Sequence, residues 1–189
     1  MMKLEELEQV LKVAIDKSLI PVSSLISKCK VISTPGLADP SYLSFYYHFG
    51  KHIQPKTILD LDFDLGLKEV CFLKSCKSVS MIGGLSSNKE YNDLAIKYAS
   101  DNIKSVYLGK VEIYERFSTI VGTWDLILCD DPQFAKDHIQ DIWSLMNHDG
   151  LLVVDNIYRG ENEFGSVASI VNRVPIYIEN RYKLGIIQR

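Results

Sequence analysis

The 189-residue sequence predicts a doubly wound α/β domain with a mainly parallel sheet, and three observations carry that expectation. From residue 57 onward, short runs that are apolar on both faces alternate with amphipathic helical segments, the pattern of buried parallel strands covered by helices on both sides. Two of these runs, WDLILCDD (124–131) and DGLLVVDN (149–156), end in acids. The last two runs, PIYIE and KLGIIQR, lie too close together for a crossover helix, so they form an antiparallel pair.

The elements follow in order. Leu4, Leu7, Val10, Leu11 and Ala14 recur at spacings of three and four, giving an amphipathic helix that ends near Pro21. After the Pro35-Gly36 and Asp39-Pro40 turns, residues 41–52 read as a second helix with Tyr42, Phe45, Tyr46 and Phe49 on one face; Pro55 stops it. Strands are expected at 57–61, 78–82, 105–108, 125–129 and 151–154. Between and after them lie helical patterns at 67–74, 88–100, 112–120, 133–146 and 163–171. With the terminal pair this makes a Rossmann-like sheet of about seven strands. Residues 1–54 are N-terminal helices packed on or extending the core, and 55–189 form the α/β unit, within one structural domain overall.

Composition excludes several function classes. Hydrophobic residues at 47% and charged residues at 24% match an ordinary globular protein. A net charge of -3 without a basic cluster argues against a dedicated nucleic-acid surface. No apolar stretch approaches the ~20 residues of a membrane span, and the N-terminus lacks the apolar core of a signal peptide. Cys29, Cys71, Cys76 and Cys129 show neither CxxC nor zinc spacing, which fits reduced thiols in the cytoplasm.

In an open parallel sheet, ligands bind beyond the carboxyl ends of the strands. Asp60 closes the first strand, Asp130 and Asp131 the fourth, and Asp155 the fifth, followed by Asn156. If the fourth and fifth strands are neighbours, their ends lie ~5 Å apart, and Asp130 and Asp155 can converge on a hard cation such as Mg²⁺. Equally, such acids cap the following helix, as Asp130 or Asp131 before Pro132 would. His48 and His52, at i and i+4, are either metal ligands or packing residues. GGLSSNK (83–89) lacks the ending of a phosphate loop and reads as a capped turn. The aromatic set around Tyr46 either floors a pocket or packs the core.

The order of elements, the ILDL start, WDLILCDD and DGLLVVDN resemble class I S-adenosylmethionine-dependent methyltransferases, nearest to the metal-dependent O-methyltransferases related to catechol O-methyltransferase. The resemblance covers residues 37 to the end and includes the lead-in DPSYLSFYYHFGKHIQPKTILDL. It implies that Asp130, Asp155 and Asn156 hold a divalent cation. It further implies that Asp60, Asp62, Asp64, Gly66, Gly83 and Asp130 border the S-adenosylmethionine site.

The departures from the family pattern are specific. The three glycines of the first-strand loop correspond to Asp62, Asp64 and Gly66, so two aspartates stand where the backbone passes close to a carboxylate-bearing cofactor. The ribose-binding acid after the second strand corresponds to Gly83-Gly84, and the acid expected after the third strand to Lys110, following Gly109. The catalytic lysine position is Gln133; Lys136, one turn on, is the remaining candidate base. The expected function is therefore a methyltransferase-like binding or assembly subunit with an eroded cofactor site. It would work with a protein partner or a second copy through the N-terminal helix. The alternatives are an active metal-dependent O-methyltransferase acting on a small hydroxylated substrate, and a binder of another small ligand at the strand ends.

Overall fold

The structure is a computed structural model that describes residues 6, 7, 9, 20–30, 40–86, 92–157, 161–178 and 183–189. Seven strands form one sheet in the order β3-β2-β1-β4-β5-β7-β6. They are β1 (Thr57–Asp60), β2 (Met81–Leu85), β3 (Lys110–Tyr114), β4 (Trp124–Cys129), β5 (Met146–Val154), β6 (Ile176–Ile178) and β7 (Leu184–Gln188). The β1–β5 pairings are parallel, whereas β7 runs antiparallel to both β5 and β6. The order turns back at β1 and β4, which creates the crevice where the fold places a ligand.

Successive strand residues point to opposite faces, and the two halves of the core divide accordingly. Ile58, Leu126, Leu128 and Val153 pack with helices α1 (Ile20–Ile26), α2 (Pro40–Ile53), α3 (Leu67–Ser75) and α4 (Asn92–Lys104). Leu59, Ile127, Cys129, Leu152 and Val154 pack with α5 (Pro132–Asp137), α6 (Ile139–Leu145) and α7 (Glu161–Ile170). The aromatic face of α2 joins α3: the rings of Tyr46 and Phe49 lie 5.8 and 6.0 Å from that of Phe72. His48 is buried with its ring 5.2 Å from that of Tyr47, and His52 is exposed. These two histidines do not form a ligand pair.

Only Glu6, Leu7 and Gln9 of the expected first helix are described; all are helical, and Leu7 is buried in the chain's own core. The turns at 35–36 and 39, residues 87–89 of GGLSSNK, and residues 179–182 between the last strands lie outside the described residues.

The expected third strand is corrected. Residues 105–108 are not a strand, because α4 continues to Lys104 and the chain then turns with the Ser105 and Tyr107 amides donating to the carbonyls of Asp101 and Ile103. Leu108 is left 99% exposed. The strand is Lys110–Tyr114, taken from a stretch that reads as helix (112–120) by its pattern. Among the described residues, β3 lies at the sheet edge and pairs with β2. Edge position leaves its side chains partly wet, and mixed polarity over so few residues suits either period. Lys110 therefore starts this strand, and the acid that follows it is Glu115. The expected helix at 133–146 is two helices broken at His138. The first helix is expected to end near Pro21, whereas residues 20–26 are helical.

Candidate functional site

β1 ends in Asp60, which is fully buried. The chain then loops through residues 61–66 and enters α3. The Asp62 amide donates to Asp60 Oδ1 at 2.9 Å, and the Phe63 amide donates to the Leu85 carbonyl at 3.1 Å, so the loop is stitched to both strand ends. Gly66 caps α3 with φ +67°, and a Cβ there would lie 3.2 Å from the Ala99 Cα and carbonyl oxygen. Glycine is required on both counts. Asp62 and Asp64 adopt ordinary backbone angles, since neither is among the residues with positive φ.

Gly83 and Gly84 lie inside β2 rather than beyond it. A side chain on Gly83 would meet the Trp124 ring at 2.5 Å, and one on Gly84 would meet the Phe63 ring at 2.3 Å. These glycines make room for two large buried rings on opposite faces of the sheet.

Two residues that the sequence reasoning did not single out occupy the centre. Lys68, on the first turn of α3, places its ammonium 3.0 Å from Asp60 Oδ2, 3.3 Å from Asp60 Oδ1 and 2.8 Å from Asp130 Oδ1. Its side chain is only 7% exposed. The neighbouring Glu69 is fully buried, and its carboxyl faces that of Asp60. A lysine in the first helical turn opposes the helix dipole, and that mismatch in LGLKEV was the available signal. It shows that something other than the helix must hold the charge.

The ends of β4 and β5 meet as expected. The Asp155 amide donates to the Cys129 carbonyl at 2.8 Å, and Asn156 Nδ2 donates to the Asp130 carbonyl at 3.2 Å. Asn156 has φ +57°, a left-handed conformation that asparagine tolerates. Asp155 Oδ1 accepts from the Asn156 amide at 2.6 Å, and Oδ2 accepts from the Tyr46 hydroxyl at 3.1 Å. Tyr42 also hydrogen-bonds to Asp155, with its hydroxyl 3.3 Å from that of Tyr46. The α2 aromatics thus serve both alternatives: Phe45 and Phe49 pack the core, while Tyr42 and Tyr46 reach the strand ends. Asp131, by contrast, caps α5 by accepting from the Gln133 amide at 2.8 Å, ahead of Pro132.

Acids outnumber cations here, and the titration behaviour follows. Burial pushes Asp60 well up against the pull of Lys68, and Glu69 and Asp130 act in the same direction as burial. Asp64 is pushed up to about 7 by burial and by Asp62. Asp155 is pushed up to about 6 by burial and Asp130, against the hydrogen bonds from Tyr42 and Asn156. Burial works to lower Lys68, but Asp130 and Asp60 outweigh it and hold the ammonium well above the usual lysine range. Burial and the nearby carboxylates keep Tyr42 and Tyr46 neutral, as donors.

The resemblance implies Mg²⁺ on Asp130, Asp155 and Asn156, but the donor set does not fit one. Both Asp155 oxygens accept hydrogen bonds, Asp130 Oδ1 faces an ammonium, and Asn156 turns its NH₂ toward Asp130. S-adenosylmethionine fits no better. The loop that would receive its carboxylate instead groups Asp62 and Asp64 with Asp130, their nearest oxygens within 4.8 Å of one another. Among the described residues, a small cavity of about 20 Å³ lies between Tyr42, Asp64, Gly66, Lys68 and Asp130, room for roughly one water. Lys136, in the last turn of α5, makes no hydrogen bond or ion pair among the described residues.

The sequence matches no protein-family model and no curated protein. Solved structures do match it. SAH-bound Podospora anserina methyltransferase PaMTH1 aligns over 99% of this chain and 96% of its own, with a TM-score of 0.66 and 15% identity. The ribosomal protein L11 methylase from Lactobacillus delbrueckii subsp. bulgaricus aligns over 84% and 89%, with a TM-score of 0.63 and 12% identity. An O-methyltransferase family protein from Burkholderia thailandensis aligns over 78% and 55%, with a TM-score of 0.61 and 17% identity. The fold is that of the class I S-adenosylmethionine-dependent methyltransferases, O-methyltransferases among them.

Proposed function

We propose that this methyltransferase-fold chain is a binding or assembly subunit whose cofactor crevice is closed by its own charges. The observation that carries the reading is the Lys68 ammonium bridging Asp60 and Asp130 at 3.0 and 2.8 Å. Beside it, Asp62 and Asp64 stand where a carboxylate-bearing cofactor needs hydrogen-bond donors. Titration calorimetry of S-adenosylmethionine and S-adenosylhomocysteine, with and without Mg²⁺, tests it. No binding at millimolar ligand is expected, and micromolar binding would overturn the reading.

Assembly draws support from both edges of the sheet. Leu108, Ile113 and Val121 are exposed on or near β3, as are Val174 and Tyr177 on or near β6. Exposed apolar groups along open strand edges favour association, so a protein partner or a second copy belongs to the working form. Light scattering of the purified chain, alone and after capture of partners from its own cytoplasm, checks this. The cytoplasmic assignment is supported by four free cysteines. Among the described residues, no helix is long and apolar enough to cross a membrane.

The competing reading is an active metal-dependent O-methyltransferase. It rests on the convergence of Asp130, Asp155 and Asn156 and on the cofactor product named for the Podospora neighbour. If it holds, methyl transfer to a catechol-like diol should be measurable and Asp155→Ala should abolish it.

A further inference from the structure

We infer that Lys68 is a tethered cation that replaces a divalent ion at these strand ends, so the crevice excludes free divalent cations because the chain supplies its own. The misfit at Asp130 is the starting observation. Carboxyl oxygens of Asp62, Asp64 and Asp130 lie within 4.8 Å of one another, a spacing that oxygen-ligated cations use. Yet one oxygen of Asp130 is already 2.8 Å from the Lys68 ammonium, which also contacts both oxygens of Asp60.

Lys68 is held there from both sides of the sheet switch point. Asp60 ends β1 and Asp130 follows β4, and these strands are paired neighbours. The lysine enters from α3, whose start is fixed by Gly66 in its left-handed conformation. A divalent ion bound to Asp130 would therefore meet a buried like charge with little water to screen it. An ammonium also presents three donors and no vacant coordination position. It engages Asp60 and Asp130 without the inner-sphere positions that a metal would offer to a substrate oxygen.

The inference rests on the closed-crevice reading, but its readout does not involve S-adenosylmethionine. Mn²⁺ binding, followed by paramagnetic resonance, is measured on the full chain with Lys68→Ala, Lys68→Met and Lys68→Arg. The wild type and Lys68→Arg should show no saturable binding. Lys68→Ala and Lys68→Met should bind one ion saturably, at least about tenfold more tightly than the upper limit that the wild-type titration sets, and Asp130→Asn added to either should abolish that gain. Circular dichroism checks the fold; if both neutral variants fail it, Lys68→Ala with Asp60→Asn removes one charge of each sign and carries the same expectation. One-to-one Mn²⁺ binding by the wild type that Asp130→Asn removes would overturn the inference, as would a folded neutral variant with no gain. Tight S-adenosylmethionine binding by a wild type that still excludes Mn²⁺ would overturn the closed-crevice reading alone.

Discussion

The same three central strands carry carboxylates at both ends, and the two ends treat them differently. At the amino ends, Asp125 Oδ2 accepts from the Lys56 and Thr57 amides at 2.7 and 3.2 Å, and Oδ1 accepts from Asn147 Nδ2 at 2.7 Å. One acid meets three neutral donors there and clamps β1, β4 and β5 together. At the carboxyl ends, Asp60, Asp62, Asp64, Glu69, Asp130 and Asp155 gather around one ammonium among the described residues, that of Lys68. An acid whose acceptors are all met by backbone and amide donors stabilises a fold. Asp60, Asp64 and Asp155 at the carboxyl ends instead carry raised proton affinities, which marks a site.

A cavity of about 550 Å³ beside Asp125 is lined by Leu7, Ile53, Gln54, His148 and Gln188. The carboxylate there is already satisfied, so volume by itself does not mark where the chemistry lies.

The largest expected effect separates the two ends most sharply. Lys68→Met leaves the buried Asp60 and the half-buried Asp130 without their cation, and breaking a buried pair from one side costs about 3–5 kcal/mol. Urea unfolding at neutral pH should show that loss, and it should shrink toward pH 5 as the stranded Asp60 carboxyl, already pushed up by burial, takes up a proton. Next comes Asp125→Ala, which removes three hydrogen bonds from the clamp. A loss of about 1–3 kcal/mol is expected by the same measurement, with no change in Mn²⁺ behaviour. If Asp125→Ala alters Mn²⁺ binding, the two ends are not separable.

The pH dependence comes third. Asp64 and Asp155 sit at about 7 and about 6 in the folded chain, above the ordinary 3.8. The native state therefore holds more protons than the unfolded state across that window. Stability is fully present below pH ~4 and falls as pH rises toward about 7. Asp64→Asn should flatten the upper part of this slope and leave the protein more stable than wild type at pH 8, on the order of 1 kcal/mol. A wild type whose stability climbs from pH 5 to pH 7 would contradict the overcharged crevice. The smallest effect is Asn147→Ala, about 0.5–1.5 kcal/mol for one donor lost from the clamp, read as a small downward shift of the unfolding midpoint.

Much of this architecture was legible in the chain. The runs ending in Asp60, Asp130 and Asp155 are apolar on both faces, and buried parallel strands must be. The two terminal runs had to be antiparallel for want of connecting length, and β7 pairs antiparallel with β6 and β5. The misreading at β3 has a local cause. VYL following a helix and KVEIY in an edge strand carry little periodicity of their own, and only the pairing of Met81 with Lys110 through Leu85 with Tyr114 sets the strand. Gly83 and Gly84 looked like a lost ligand position because the rings they accommodate, Trp124 and Phe63, are remote in sequence.

By itself the sequence determined the fold class, the sheet ends at which chemistry would gather, and the acids that stand there, because hydrophobic periodicity and strand-terminal residues are local properties. Only the tertiary structure decided what those acids do. Lys68 is eight residues from Asp60 and sixty-two from Asp130 along the chain, and Tyr46 is a hundred and nine from Asp155. Whether a carboxylate is free, bridged or capping depends on which donors the fold brings to it, and distances of a few ångströms between distant segments are set by packing.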